Sequence, residues 1–210
     1  MEDGQGTMEW YKRCFAWGLA RGCSGYERLV AGRRRALLAP LGGTVLEIGP
    51  GTGANLPYFA TTVRWIGIEP NPHMEPYLRR EAERLGRTIE LQAGNAQKLD
   101  LPDASVDAVV STLVLCSVPD QDAALAEARR VLRPGGRFVF LEHVAAPSGT
   151  WLRRLQRGVR PVWRLLGDGC FPDRETWHAI DRAGFREITL DRFHLPVPVV
   201  APHIGGWAVR

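Results

Sequence analysis

The sequence predicts an α/β fold, a doubly wound and mostly parallel sheet with helices on both faces. Three observations predict it. Short apolar runs alternate with amphipathic ones between residues 44 and 145, the connections between them are short, and the first apolar run, TVLEIG, enters a turn with glycines at 49, 51 and 53. Such alternation makes parallel strands joined by right-handed crossovers, which gather the C-terminal strand ends on one edge. Ligands of open sheets bind at that edge.

The elements follow in order. Residues 8–39 read as helical and rich in aromatics (Trp10, Tyr11, Phe15, Trp17, Tyr26), and Gly42-Gly43 ends them. TVLEIG is the first strand, with a helix expected to start around Asn55; RWIGIEP (64–70) is the second strand. PHMEPYLRREAERLG is a helix closed by Gly86, because glycine ends a helix at no steric cost. TIELQAG is the third strand, and SVDAVVSTLVLCSV holds the fourth, centred on Asp107–Ser111. DQDAALAEARRVLRPGG is a helix with a Pro-Gly-Gly stop, and RFVFLEHV is the fifth strand.

Beyond residue 145 the alternation lapses. TWLRRLQRGVRPVWRLLGDGC is amphipathic: Arg153, Arg157, Arg160 and Arg164 fall near one helical face, and Leu152, Leu155, Val159, Val162 and Leu166 near the other. Pro161 is expected to break it into two pieces. DRETWHAIDRAGF is a further helix, and REITLDRF and HIGGWAVR form a hairpin-like terminal pair joined by LPVPVVAP.

Composition bounds the function. A chain of 210 residues builds one sizeable core, so a single domain is expected over 1–210. Net charge is +4, nearly every basic residue is arginine, and no aromatic-and-basic ribonucleoprotein pattern occurs, so no nucleic-acid partner is expected. Cys14, Cys23, Cys116 and Cys170 form no C-x-x-C pair, which argues against a metal site or a disulfide framework. No apolar run reaches the roughly 20 residues that span a bilayer. The start, MEDGQGTMEWYK, lacks an apolar signal core, and a cytoplasmic protein is expected. The basic 150–166 stretch is the one segment suited to peripheral contact with an anionic membrane.

The glycine turn fits two cofactors. Gly49, Gly51 and Ala54 match G-x-G-x-x-G/A, with Glu69 about 20 residues on, as a dinucleotide site requires. Glu69 would accept hydrogen bonds from a ribose diol in either case. Glu47 separates the two, because an anion beside a pyrophosphate is repelled while an anion beside a cationic amino-acid tail is attracted. S-adenosylmethionine carries such a tail. Asn95 and the Ala96 amide in GNAQKLDLP then suit an adenine edge, and STLVLCSV offers small and apolar groups to a sulfonium.

With E-x-G-x-G-x-G, Glu69, GNAQKLDLP, the fourth-strand segment and VLRPGGRFVFLEH in this order, the sequence resembles class I S-adenosylmethionine-dependent methyltransferases of the type 11 branch over about residues 43–145. The resemblance implies a seven-stranded, Rossmann-like sheet in the order 3-2-1-4-5-7-6 with only the last strand antiparallel. It implies a cofactor-binding core at 43–145, a helical cap at 1–39, and substrate-side helices and the last two strands at 146–210. STLVLCSV, RRVLRPGGRFVFLEHVA, LLGDGC, RETW and PHIGGWAV are similar to the methyltransferase-like 7 group, the alkyl thiol methyltransferases of animals. That likeness implies S-methylation of a small lipophilic thiol, with S-adenosylhomocysteine as co-product. Members of that group are held on membranes by an apolar N-terminal segment; no such anchor is expected here, so their membrane location is not carried over. A quinone, phenol or phospholipid-headgroup acceptor, or a cofactor sensor without turnover, is the alternative.

By the same resemblance, Gly49, Gly51 and Gly53 lie under the methionine part of the cofactor, with Glu47 near its ammonium and Asn55 at the following helix start. Glu69 takes the ribose, Pro70, Asn71 and Met74 follow it, and Asn95 and Ala96 meet the adenine. Thr112, Leu113 and Val114 form the wall after the fourth strand. Asn95 departs from the family's usual Asp, though its amide oxygen still accepts a hydrogen bond. Asp107 reads as structural, and Cys116 and Cys170 as core packing. A neutral imidazole is suited to proton removal near pH 7. His143, after the fifth strand, and His203, opening the last, are therefore the candidate bases, with Asp168 a weaker third.

Overall fold

The computed structural model describes residues 3–22 and 24–210, with side chains from 9–21 and 25–210; Cys23 lies outside them. Strands β1 (Thr44–Ile48), β2 (Arg64–Glu69), β3 (Glu90–Ala93), β4 (Val106–Thr112), β5 (Leu132–His143), β6 (Glu187–His194) and β7 (Pro202–Val209) form one sheet in the order β3-β2-β1-β4-β5-β7-β6. β1 pairs in parallel with β2 and β4, β3 joins β2 and β5 joins β4 in parallel, and β7 runs antiparallel to both β5 and β6. The chain lays β2 and β3 on one side of β1, then returns to lay β4 and β5 on the other. The C-terminal ends of β1 and β4 therefore border the crevice where such sheets bind ligands.

The period of two along each strand feeds two cores. Leu46, Ile48, Ile66, Ile68, Val109, Phe138 and Phe140 face one side, against Leu125 and Ala128 of α4 (Gln121–Val131) and Ile180 of α6 (Thr176–Arg182). Val45, Trp65, Ala108, Val110 and Val139 face the other, against Leu38 of α2 (Ser24–Leu38) and Leu78 of α3 (Glu75–Arg84). Each large apolar side chain so buried stabilises the fold by roughly 1.5–3 kcal/mol relative to exposure. Local signals end the helices as their chemistry requires. Asp120 caps α4 by accepting from the Ala123 N–H at 3.0 Å. Gly86, at φ +62°, turns the chain after α3 so that the Arg87 N–H reaches the Ala82 carbonyl.

Four expectations about elements change. Residues 8–39 form two helices, α1 (Asp3–Gly22) and α2. No α-helix starts at Asn55; Leu56–Tyr58 is one 3-10 turn, because too few residues remain before β2. The Pro-Gly-Gly lies within the start of β5: Leu132 is already extended, and the register shifts between Val106 and Ala108 to absorb the extra residues. Pro161 does not break its helix, which runs unbroken as α5 (Trp151–Leu166). The turn before Pro161 is fixed from within by the buried Gln156, whose amide bonds the Ala146 N–H and the carbonyls of Val144 and Val199.

That anchoring orients α5 unusually. Its two buried residues are polar, Gln156 and Arg153, and its exposed residues include large apolar ones beside arginines. Trp151, Val162, Leu165 and Leu166 are 61–70% exposed. Among the described residues, no helix is long and apolar enough to cross a membrane.

Candidate active site

A cavity of about 1070 Å³ opens over the C-terminal ends of β1, β2 and β4. α1 contributes Lys12, Phe15 and Leu19 to its wall, α2 contributes Tyr26 and Arg34, and the end of α5 contributes Trp163 and Leu166. The Asp168 N–H donates to the Tyr11 hydroxyl at 2.8 Å, tying α1 to the turn after α5.

The glycine turn lies on the cavity floor. Gly49 has φ +60°, and a Cβ there would come within 2.7 Å of the Val114 side chain. Only glycine satisfies both the dihedral and the approach. Gly49 and Gly51 line the cavity, whereas Gly53 does not; a Cβ there would meet the Leu78 and Leu56 side chains at 2.9 and 3.2 Å. Glu69 is held by two backbone donors, Gly51 N–H and Asn71 N–H, at 2.9 Å each. Burial raises its pKa, and the Asn71 and Gly51 amides oppose that shift. Two such bonds leave lone pairs on both oxygens, which suits a diol.

Glu47 is in a different place from the one expected. It is buried and absent from the cavity wall, with Oε1 accepting from Asn55 Nδ2 and Oε2 from Trp65 Nε1, each at 2.8 Å. Burial raises its pKa to about 7, against the pull of Trp65, Asn55 and Arg34. Asn55 takes the wall position. Its Nδ2 also donates to Thr112 Oγ1 at 2.6 Å, and its Oδ1 is buried without a partner. Arg34 is 3% exposed; one Nη donates to Glu27 at 3.1 Å, and its Nε and Nη1 are buried without partners. An orphaned acceptor and orphaned donors lining one cavity are complementary to an amino acid's ammonium and carboxylate. The residues present therefore fit S-adenosylmethionine: Asn55 and Arg34 for its amino-acid end, Glu69 for its ribose.

Pro70, Asn71, Met74, Asn95 and Ala96 line the far end of the cavity. Asn95 Oδ1 accepts from the Gln97 N–H at 2.9 Å, so this oxygen also shapes the local turn. Thr112, Leu113 and Val114 line the wall after β4. Leu113 has φ +59°, a conformation costly for a leucine, and it is held there by its N–H bond to the Leu141 carbonyl. Asp107 is structural, as read from sequence: it accepts from the Thr44 N–H at 2.7 Å and pairs with Arg133.

The three candidate bases part company. His143 is buried and lines the cavity, with Nε2 3.1 Å from Cys170 Sγ. Asp168 lines it too, and burial raises its carboxyl pKa against the pull of Lys12. His203 does not line it. Its Nδ1 bonds the Ala201 carbonyl at 3.0 Å, which places the proton there and leaves Nε2 to accept from the Tyr26 hydroxyl at 2.7 Å. Burial lowers its pKa to about 4, so it stays neutral. With both nitrogens occupied, it positions Tyr26 and has no free site for an acceptor.

The residues missed by sequence reasoning are Arg34, Tyr26 and the two cysteines. Cys116, Cys170 and His143 converge on the cavity wall, with the two sulfurs 3.4 Å apart. The Cys116 hydrogen bond, with His143 assisting, lowers the Cys170 thiol pKa despite burial. The pKa of Cys116 is raised in turn by that bond and by burial. Burial disfavours the charged form of His143, but Cys170 and Glu142 outweigh it and raise the pKa. No pairwise spacing in the sequence marks this group.

The sheet order, the glycine turn and the acid at the end of β2 define a class I methyltransferase scaffold. A family model described as methyltransferase domain matches residues 46–140. Human thiol S-methyltransferase TMT1A is 40% identical, with 98% of this chain and 90% of that protein covered. The phosphatidylethanolamine N-methyltransferase of Cereibacter sphaeroides is 36% identical over 60% of this chain and 63% of that one. The crystal structure of the Bacillus subtilis YcgJ protein has the same fold, with a TM-score of 0.70, 18% identity, and coverage of 87% of this chain and 98% of that one. The chain belongs to the S-adenosylmethionine-dependent methyltransferases, in the branch that includes the thiol S-methyltransferases.

Proposed function

We propose that this protein transfers the methyl group of S-adenosylmethionine to the sulfur of a small lipophilic thiol. The observation that carries this reading is the similarity to a thiol S-methyltransferase over 98% of the chain, substrate-side third included. The phospholipid enzyme's similarity covers 60%. The cavity adds support, since Phe15, Leu19, Trp163 and Leu166 suit an apolar acceptor.

Residues 43–145 hold the cofactor; residues 1–39 and 146–210 enclose the acceptor. Asn55 and Arg34 bind the amino-acid end, Glu69 the ribose, and Met74, Asn95 and Ala96 the adenine. Bound there, the cofactor supplies an electrophilic methyl on a sulfonium that is already a good leaving group. The protein's part is to align the acceptor sulfur and exclude water. A thiol of ordinary pKa near 8.5 has some thiolate at neutral pH, so modest help in deprotonation suffices. His143 is the group placed to give it.

The test is methyl transfer with purified protein and a panel of thiol, phenol, amine, quinol and phospholipid acceptors, read by mass. Methylation of small apolar thiols alone is expected. Cofactor binding with product only from a lipid or quinol overturns the acceptor assignment. Cofactor binding with no product at all leaves a sensor.

The outward face of α5 favours one further feature of this reading. Exposed Trp151, Val162, Leu165 and Leu166, flanked by exposed Arg154, Arg157, Arg160 and Arg164, match an anionic bilayer surface in polarity and charge. Leu166 is also part of the cavity wall, so a lipophilic acceptor would enter from the lipid side. Co-sedimentation with phosphatidylserine vesicles at low salt is expected, and Leu165→Asp with Leu166→Asp should abolish it. No wild-type binding refutes the contact.

A further inference from the structure

Cys116, His143 and Cys170 form the one group of three metal-ligating side chains among the described residues. Three separate segments supply them: the turn after β4, the last residue of β5, and the turn after α5. The segments are tied together, since the Phe171 N–H donates to the Cys116 carbonyl at 3.0 Å. All three residues are buried, at 2, 6 and 8% exposure, and all three line the cavity. His143 Nε2 lies 3.1 Å from Cys170 Sγ, the two sulfurs are 3.4 Å apart, and the three donor atoms all lie within 4.8 Å of one another.

These separations are close to those of a tetrahedral ion. Bond lengths of about 2.3 Å to sulfur and about 2.0 Å to nitrogen place two thiolates about 3.8 Å apart, and a thiolate and an imidazole about 3.5 Å apart. The two pairs that share Cys170, at 3.1 and 3.4 Å, need to open by a few tenths of an ångström, and the third pair lies within 4.8 Å. Two thiolates and one imidazole form a soft set that selects zinc over magnesium or calcium. Three protein ligands leave the fourth position open, as in catalytic rather than structural zinc sites. That position falls on the cavity side, because the wall itself is made of these residues.

We propose that Cys116, His143 and Cys170 bind a zinc ion whose fourth ligand is the acceptor thiol. The fourth-ligand part rests on the thiol reading above; the metal site does not. On coordination the acceptor's S–H bond breaks, its proton passes to solvent, and the sulfur keeps the electron pair as a zinc-bound thiolate. That pair then forms the new S–CH₃ bond as the methyl's bond to the sulfonium breaks. The neutral thioether binds zinc weakly and leaves, and the open position returns. With the metal bound, His143 is a ligand, and this role replaces the base role given to it above.

The experiment uses the whole protein, reduced, loaded with zinc and gel-filtered before metal analysis. Stoichiometric zinc is expected, falling at least about tenfold in Cys116→Ser, Cys170→Ser and His143→Ala. Each variant is checked for retained cofactor binding, so that loss of metal is not loss of fold. Cobalt then replaces zinc, and its visible bands report thiolate ligation and coordination number directly. Adding a short alkyl thiol without S-adenosylmethionine should shift those bands. A reduced wild type that takes up no zinc or cobalt overturns the site. So does a mass showing that Cys116 and Cys170 join as a disulfide whose reduction restores no metal uptake, which makes the pair a redox couple. Bound cobalt with bands that ignore thiols overturns the fourth ligand. Thiol methylation that persists without metal overturns the zinc step while leaving the thiol reading intact.

Discussion

Replacing Glu69 offers the most direct test of how the cofactor is held. The carboxylate has two acceptor oxygens, already oriented by the Gly51 and Asn71 amides at 2.9 Å, and each would take one ribose hydroxyl. A hydrogen bond to a charged group contributes about 1.5–3 kcal/mol. Glu69→Ala should therefore cost about 3 kcal/mol or more of cofactor affinity, or about 100-fold in Kd. Glu69→Gln keeps one acceptor oxygen and should lose about tenfold. Calorimetric titration with S-adenosylhomocysteine measures both. A cycle with the analogue lacking both ribose hydroxyls isolates the contact from any general disturbance. The wild type should lose about 100-fold on this analogue, and Glu69→Ala should lose less than about threefold further. If Glu69→Ala discriminates the two ligands as strongly as the wild type does, the carboxylate does not bind the ribose.

Three other outcomes follow from the packing and the buried charges. Glu142 is fully buried, and its pKa is raised to about 7 by burial, against the bonds from Ser111 and Val114. Its contribution to stability is thus full below the ordinary carboxylate range and lost as pH rises through about 7. Glu142 Oε1 takes all three hydrogen bonds and Oε2 has none, so Glu142→Gln preserves them. Denaturant unfolding should find the variant gaining on the wild type by on the order of 3 kcal/mol between pH 5 and 8, and an equal offset at both pH values would refute this. Gly206→Ala would push a methyl onto the Thr189 carbonyl between β7 and β6, and should destabilise by at least about 3 kcal/mol or prevent folding. Tyr26→Phe removes the donor to His203 and should destabilise by about 1–3 kcal/mol while leaving cofactor affinity unchanged; a loss of cofactor binding alone would place Tyr26 in the cofactor's site.

Much of the fold and half of the site could be read directly from the chain. Strand–turn–helix alternation, the period of two in TVLEI and RWIGIE, and the glycines at 49 and 51 are local patterns, and each has one physical solution. The glycine turn, Glu69 and the residues after it are close in sequence because one strand end and one turn position them. Boundaries were less legible where two local rules compete. Pro-Gly-Gly reads as a helix stop but is accommodated by a bulge in β5, and Pro161 reads as a break but lies inside a continuous α5 that the buried Gln156, five residues earlier, anchors through the Ala146 amide.

What the sequence by itself determined is the succession of strands along the chain, the glycine turn after β1 and the acid at the end of β2, since all depend on neighbours along the chain. Tertiary structure alone decided three things. Glu47 lies behind Asn55 and leaves the wall to that residue, because Trp65, 18 residues on, occupies its other oxygen. His203 is withdrawn from the cavity by Tyr26, 177 residues away. Cys116, His143 and Cys170 meet because β4 and β5 are adjacent and the turn after α5 folds back over both, at separations of 27 and 54 residues. Contacts between side chains so far apart depend on the path of the whole chain, which no local pattern of residue types encodes.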